Sequence, residues 1–274
     1  MSLVILTDDG IQHRFVTNSI TSALGSHVTA IVLARPPHKN VVETAQRIRK
    51  KYSVGQCISR LGARSYRIAT RAGTRRAATY RRVLFPHGDP GVFDRPDLVR
   101  TVPFHNGQAS LELLAELKPT VIAVYGTQII RTPVIKMAAT GIFNMHTGIS
   151  PRYRGSDTIF WALHSAEPES VGVTIHELDE GTDSGPILNV GRPDIEPDDD
   201  EDSLFAKCVV LGARLYVEAL RDALEGTSSG RPQALEDGHN YLSVSRTIGA
   251  EMRVRRLLKS GLLGPGVSPG SCGE

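Results

Sequence analysis

GIFNMHTGISPRYRGSDTIFWALHSAEPESVGVTIHELDEGTDSGPIL, residues 141–188, opens on a short apolar run that ends in Asn-x-His and closes on an aspartate in a glycine-rich turn. Residues 142–145 read as a buried strand, which puts Asn144 and His146 at its carboxyl end, where open α/β sheets place their ligands. Asp183 follows His146 by 37 residues. Singly, an Asn-x-His at a strand end is ordinary packing, and an aspartate in Gly-Thr-Asp-Ser-Gly is a turn former that bonds its own backbone. Jointly they are a chemical set. An asparagine donates hydrogen bonds to a developing oxyanion, a histidine shuttles a proton near neutral pH, and an aspartate orients the imidazole. These three types suffice for acyl transfer without a side-chain nucleophile.

Outward from this block the chain alternates strand and helix. Residues 3–6 and 28–34 are β-branched runs that read as buried parallel strands, with a helix over 13–24 between them. A short amphipathic helix at 110–118 leads through Pro119 into a strand at 121–125, and 132–139 reads as helical. Beyond the Asn-x-His, the pattern predicts a helix over 158–165 carrying Trp161, the only tryptophan. A strand at 172–178 makes His176 a structural residue, and a long amphipathic helix spans 202–224. The expected fold is α/β, a mostly parallel twisted sheet flanked by helices.

The ordered motifs of the block carry a resemblance. Asn144, His146, Pro151, Tyr153-Arg154-Gly155, Gly172-Val173-Thr174-Ile175-His176 and Asp179-Glu180-Gly181-Thr182-Asp183-Ser184-Gly185 resemble the core of the 10-formyltetrahydrofolate-dependent formyltransferases. That family includes the methionyl-tRNA, glycinamide-ribonucleotide and amino-sugar N-formyltransferases. The resemblance runs over roughly residues 110–225 and implies a Rossmann-like formyltransferase domain. It also implies Asn144, His146 and Asp183 as catalytic residues and 10-formyltetrahydrofolate as formyl donor. The donor is expected against Gln128, Ile129 and Ile130 on one loop and Leu178, Glu180 and Thr182 on another, largely through backbone contacts. Two departures stand out: Gly148 replaces the usual serine after His-x, and the His-to-Asp separation is one residue longer, absorbed near 167–170.

Domain organisation follows: a catalytic domain over 1–225, interrupted at about 41–100 by a basic, partly helical insertion, then a short extension over 226–274 whose last dozen residues are expected to be disordered. Between residues 44 and 88 there are twelve Lys or Arg and no Asp or Glu, although the net charge of the 274-residue chain is only +3. Arg64, Arg67, Arg71 and Arg75 recur at helical spacing and are either a solvated face or a docking surface for an anionic partner. The turn Thr7-Asp8-Asp9-Gly10 holds two carboxylates where a phosphate cradle would need none, which disfavours glycinamide ribonucleotide.

No apolar run approaches the roughly 18 residues that span a bilayer, and the start MSLVILTDDG lacks signal-peptide features, so no membrane partner and a cytoplasmic, biosynthetic role are expected. Three widely spaced cysteines fit neither a disulfide framework nor a zinc ribbon, and no metal site is expected. Dinucleotide and P-loop fingerprints are missing. With fewer than 50 residues after the catalytic domain, the larger C-terminal domain of the methionyl-tRNA members has no room, so tRNA is not expected as a partner. The expected acceptor is a small-molecule amine, a nucleotide-linked amino sugar or an amine of an amino acid or specialised metabolite. A homodimer is left open. The alternatives are a formyltetrahydrofolate hydrolase, with water as acceptor, and a non-catalytic folate-binding module.

Overall fold

Strand β1 (Leu3–Thr7) is buried along its whole length and sends alternate side chains to opposite faces, Leu3 and Ile5 to one core and Val4 and Leu6 to another. A strand buried on both faces belongs in the middle of a layered α/β sheet. A computed structural model describes residues 1–37, 53–89, 91–242 and 245–264 and places β1 there. The seven-stranded sheet has the order β3-β2-β1-β4-β5-β7-β8, with β2 at Val28–Ala34, β3 at Val99–Val102, β4 at Val121–Tyr125, β5 at Gly141–His146, β7 at Val173–Glu177 and β8 at Ile187–Gly191. The first five are mutually parallel, while β7 runs antiparallel to β5 and β8 antiparallel to β7. The expected fold is thus observed. The chain leaves β1 toward β2 on one side and returns to β4 on the other, so the crevice at the carboxyl ends of β1 and β4 is a topological switch point.

Helices cover both faces. Helix α1 (Ile11–Leu24), α3 (Ala72–Leu84) and the long α7 (Glu201–Glu225) bury Val16, Ile20, Leu84, Val209 and Leu220 on one side. On the other, α4 (Gln108–Leu117) and α5 (Thr132–Ile135) cover Val4, Val124 and Ile142 through Leu114 and Val134. The α5 helix stops at Ile135, short of the expected 139. Helix α7 begins with an Asp200–Ser203 capping box and ends at Gly226, whose φ of 76° suits a left-handed C-cap.

Within the insertion, α2 (Val54–Ala69) starts from a Ser53–Gln56 capping box and ends at Thr70. Arg71 then turns left-handed with φ 51° before α3 begins. The four arginines expected on one helical face are therefore split between two helices. The insertion is also not a free basic arm: Arg67 meets Glu251 at 3.3 Å and Arg76 meets Asp202 at 2.6 Å. Its residues 38–52 lie outside the described residues, as does the expected disorder after residue 264.

The segment after Gly226 packs against the rest. Strand β9 (His239–Tyr241) pairs parallel with β6 (Tyr153–Gly155), and Tyr241 stacks on Tyr153 and Trp161, each with ring centroids 5.3 Å apart. Helix α8 (Ile248–Lys259) buries Val254 against α6 (Thr158–His164). Arg246, 5% exposed at its side chain, binds both Glu201 oxygens at 2.7 Å and Glu251 at 2.8 Å.

One buried hydroxyl shapes the crevice. Tyr216 Oη accepts the Val124 N–H at 2.7 Å and lies 2.7 Å from the Phe143 carbonyl, to which it can donate. It thereby ties α7 to both β4 and β5 at the register position of Asn144, which pairs with Val124. Tyr216→Phe leaves the Val124 amide without its acceptor and should cost about 1–3 kcal/mol. Urea unfolding reads this as a lower midpoint with an unchanged slope, and an unchanged midpoint would show that the hydroxyl bridges nothing of consequence.

Candidate active site

Period-two alternation along β5 puts Phe143 and Met145 into the core and Asn144 and His146 on the other face. The antiparallel register sets Asn144 opposite His176 and His146 opposite Thr174. Asp183 reaches the same place from the turn after β7, with a left-handed φ of 49° that aspartate tolerates better than most residues. Within that turn, Asp179 Oδ1 accepts from the Gly181 N–H at 2.9 Å and the Ser184 hydroxyl at 2.8 Å, and Gln233 donates to the carbonyls of Asp183 and Gly185.

The Asp183 carboxylate collects donors. Its Oδ2 accepts the Gly155 N–H at 2.9 Å and lies 3.4 Å from His146 Nδ1, while Oδ1 lies 3.4 Å from both His176 Nε2 and the Asn144 side-chain nitrogen. Burial alone would raise its pKa, but the two imidazoles and the Gly155 amide outweigh that and hold the carboxyl well below the ordinary carboxylate range. His176 Nδ1–H donates to the Glu177 carbonyl at 2.7 Å, leaving Nε2 to accept from Asn144 at 3.1 Å. His176 was expected to be structural only, yet it orients the asparagine amide.

His146 is 7% exposed, and its Nε2–H donates to the Tyr153 carbonyl at 2.9 Å. The ring occupies space that Gly148 leaves open: a Cβ there would stand 2.5 Å from His146 Nε2 and 2.7 Å from the Tyr153 carbonyl. Thr174 donates to the Gly148 carbonyl at 2.7 Å and accepts the Ser150 N–H at 3.0 Å, fixing the loop after β5.

Asn144, His146 and Asp183 line a cavity of about 440 Å³ beyond the carboxyl ends of β1, β4 and β5. Gln128, Ile129, Ile130, Leu178 and Thr182 line it too. Glu180 does not: its carboxylate accepts from the Thr132 hydroxyl at 2.8 Å and ties the turn to α5. Missed in the sequence were Asn240 and Tyr241 on β9, and His13 on the first turn of α1. His13 packs where Gly126, with φ 66°, lacks a Cβ; its Nδ1 is buried with no partner among the described residues, and burial lowers its pKa against the opposing pull of Asp8. The acidic turn beneath is partly neutralised, since Asp9 pairs with Arg14 at 2.7 Å and Arg35 at 3.5 Å.

Residues 92–220 match the formyl transferase family model. Those residues, just under half of the chain, are its formyl transferase family domain. A methionyl-tRNA formyltransferase of Methylibium petroleiphilum is 39% identical to it over 122 residues, 44% of this chain and 38% of that protein. A sugar N-formyltransferase from a Shewanella species shares the fold with a TM-score of 0.56 at 14% identity, covering 93% of this chain and 87% of the other. The N-formyltransferase of Helicobacter canadensis, solved with folinic acid and dTDP-3-aminofucose, gives 0.56 at 15% identity, covering 93% and 79%.

The formyl transferase domain corrects one expectation. Exclusion of tRNA rested on the short segment after residue 225, but the curated relatives that the domain matches are methionyl-tRNA formyltransferases. The chain spans less than half of their length, 38% of one and 46% of another. Where this chain ends therefore carries no argument against tRNA. Among the described residues, no helix is long and apolar enough to cross a membrane.

The Asp183 carboxyl makes the formyl transferase domain sensitive to acid in a specific sense. A carboxyl whose pKa falls on folding contributes stability that is complete above its unfolded value, about 3.9, and is lost as pH drops below it. Asp183→Asn removes that contribution. The gap in unfolding free energy between wild type and variant should narrow from about pH 5 to about pH 3 in urea titrations; a gap independent of pH would mean that Asp183 is not held low in the fold.

Proposed function

We propose that this chain is an N-formyltransferase that moves a formyl group from 10-formyltetrahydrofolate to the amine of a small molecule, with nucleotide-linked amino sugars as the leading acceptor class. The observation that carries the reading is the convergence of Asn144, His146 and Asp183 on one wall of the 440 Å³ cavity. Room for a bicyclic pterin lies between the loops, with Ile130, Leu178 and Met145 as apolar walls and the backbone of residues 126–130 and 181–182 as hydrogen-bonding edges. The amino-sugar preference draws on structural neighbours that cover 93% of the chain, including the segment after residue 225.

The chemistry is displacement at the formyl carbon. A new bond forms from the acceptor nitrogen, the bond from carbon to folate N10 breaks, and the amine's proton passes to N10. The Asn144 amide is the oxyanion donor. One of its N–H groups is held by His176 at 3.1 Å, and the other makes only the 3.4 Å contact with Asp183, which a developing oxyanion at shorter range displaces. His146 carries the proton, turning its Nε2–H from the Tyr153 carbonyl toward the reacting atoms. Asp183, ionised and fixed by the Gly155 amide, keeps both histidines and the asparagine aligned.

Removing one oxyanion donor costs about 100-fold to 1000-fold in turnover. Asn144→Ala should therefore fold, retain binding of folinic acid, and release tetrahydrofolate from 10-formyltetrahydrofolate at least about 100-fold more slowly, and Asp183→Ala, which loses the alignment of that donor and of His146, should slow release by about 100-fold as well. The assay runs with dTDP-linked amino sugars, methionyl-tRNA and free amino acids as separate acceptors. Near-normal turnover in either variant removes these residues from the mechanism; release independent of any amine indicates hydrolysis instead.

A further inference from the structure

The catalytic cavity does not end at the cluster. Gln12, Thr147 and Phe205 line it and also line a second chamber of about 430 Å³. This chamber is open to solvent along α3, where Gly73 and Ala77 form its rim. Its far wall is the start of α6 and the start of α7. Helix α3 lies before residues 92–220, the stretch that matches the family model. Helix α3 thus closes a space that is continuous with the place where the formyl carbon is expected.

The lining is chemically mixed in a way that suits one kind of group. Tyr80 and Phe205 stack with centroids 5.3 Å apart and planes at 17°, and Phe160 adds a third aromatic side chain. Beside these apolar faces stand carboxylates. Asp157, with φ 57° at the start of α6, spends one oxygen on Arg246 at 3.3 Å and has no partner for the other among the described residues. Arg76 is bound to Asp202 at 2.6 Å and lies 3.7 Å from Glu201, so its charge is already answered. A phosphate in the chamber would meet Asp157 and Glu201 with no uncommitted cation. A sugar ring has C–H faces for the aromatic side chains and hydroxyls for the carboxylates.

We propose that this second chamber holds the sugar ring of the acceptor, with the amine directed past Gln12, Thr147 and Phe205 to the formyl carbon and any nucleotide left outside the rim. The proposal rests on the formyl-transfer reading but is tested separately from it. Gly73 offers the means, because a Cβ built there meets nothing within 4 Å and its φ lies outside the left-handed range. Gly73→Phe therefore adds bulk at the rim of the chamber without displacing its neighbours.

The experiment is calorimetric titration of full-length wild type and Gly73→Phe, with a dTDP-linked amino sugar and with folinic acid separately, and thermal unfolding to verify the fold. The expected result is that the sugar binds the variant about tenfold more weakly or worse, with folinic acid affinity unchanged. Equal sugar affinity in both proteins overturns the proposal, as does a wild type that binds methionyl-tRNA but no amino sugar. Failure of folinic acid to bind wild type strikes at the formyl-transfer reading instead, and the sugar titration still decides the chamber.

Discussion

The site is organised around a carboxylate kept charged away from bulk water. An ionised side chain in that position is tolerated only when polar groups surround it, and Asp183 is met by the N–H groups of Gly155 and the Asn144 side chain, with the rings of His146 on β5 and His176 on β7 each 3.4 Å away. Each contact constrains an element. The turn after β7 must close back over β5, residue 155 must lie beside β9, and the two histidines must share a face of the sheet. Replacing the charge would leave the Gly155 amide without the acceptor it has here.

Around that centre, parts outside the recognisable core supply the walls. Helix α3 packs on α7 and meets it through Arg76 and Asp202, while β9 and α8 are fastened by Arg246 to Glu201 and Glu251. Both attachments meet at the first turn of α7. Helix α3 and the C-terminal segment are therefore coupled through neighbouring carboxylates, and both reach the cavities: Tyr241 the first, Tyr80 the second.

Much of this could be read from the sequence, for identifiable reasons. Strands β1, β2, β4 and β5 are buried runs whose apolar residues leave no competing pattern, and period two alone puts Asn144 and His146 on one face. The contribution of His176 was hidden because it depends on β7 running antiparallel to β5, a tertiary fact that local pattern does not encode. The arginine spacing across residues 64–75 continued a helical period through Arg71, where a single left-handed residue breaks it without a proline or glycine to mark the place. Tyr241 could not be placed because a three-residue strand has too short a pattern to register. The tRNA expectation failed for a different reason: it drew on chain length, which says nothing when the matched relatives extend far beyond the shared segment.

The fate of the formyl carbon tests the central claim most directly. The protein is incubated with 10-formyltetrahydrofolate labelled at that carbon and with each acceptor in turn, and the products are analysed by mass spectrometry. Formyl transfer to an amine predicts one labelled N-formyl group per tetrahydrofolate released, in the presence of the correct acceptor and not without it. Label recovered as formate regardless of the acceptor, or left on the folate with every acceptor, would contradict it.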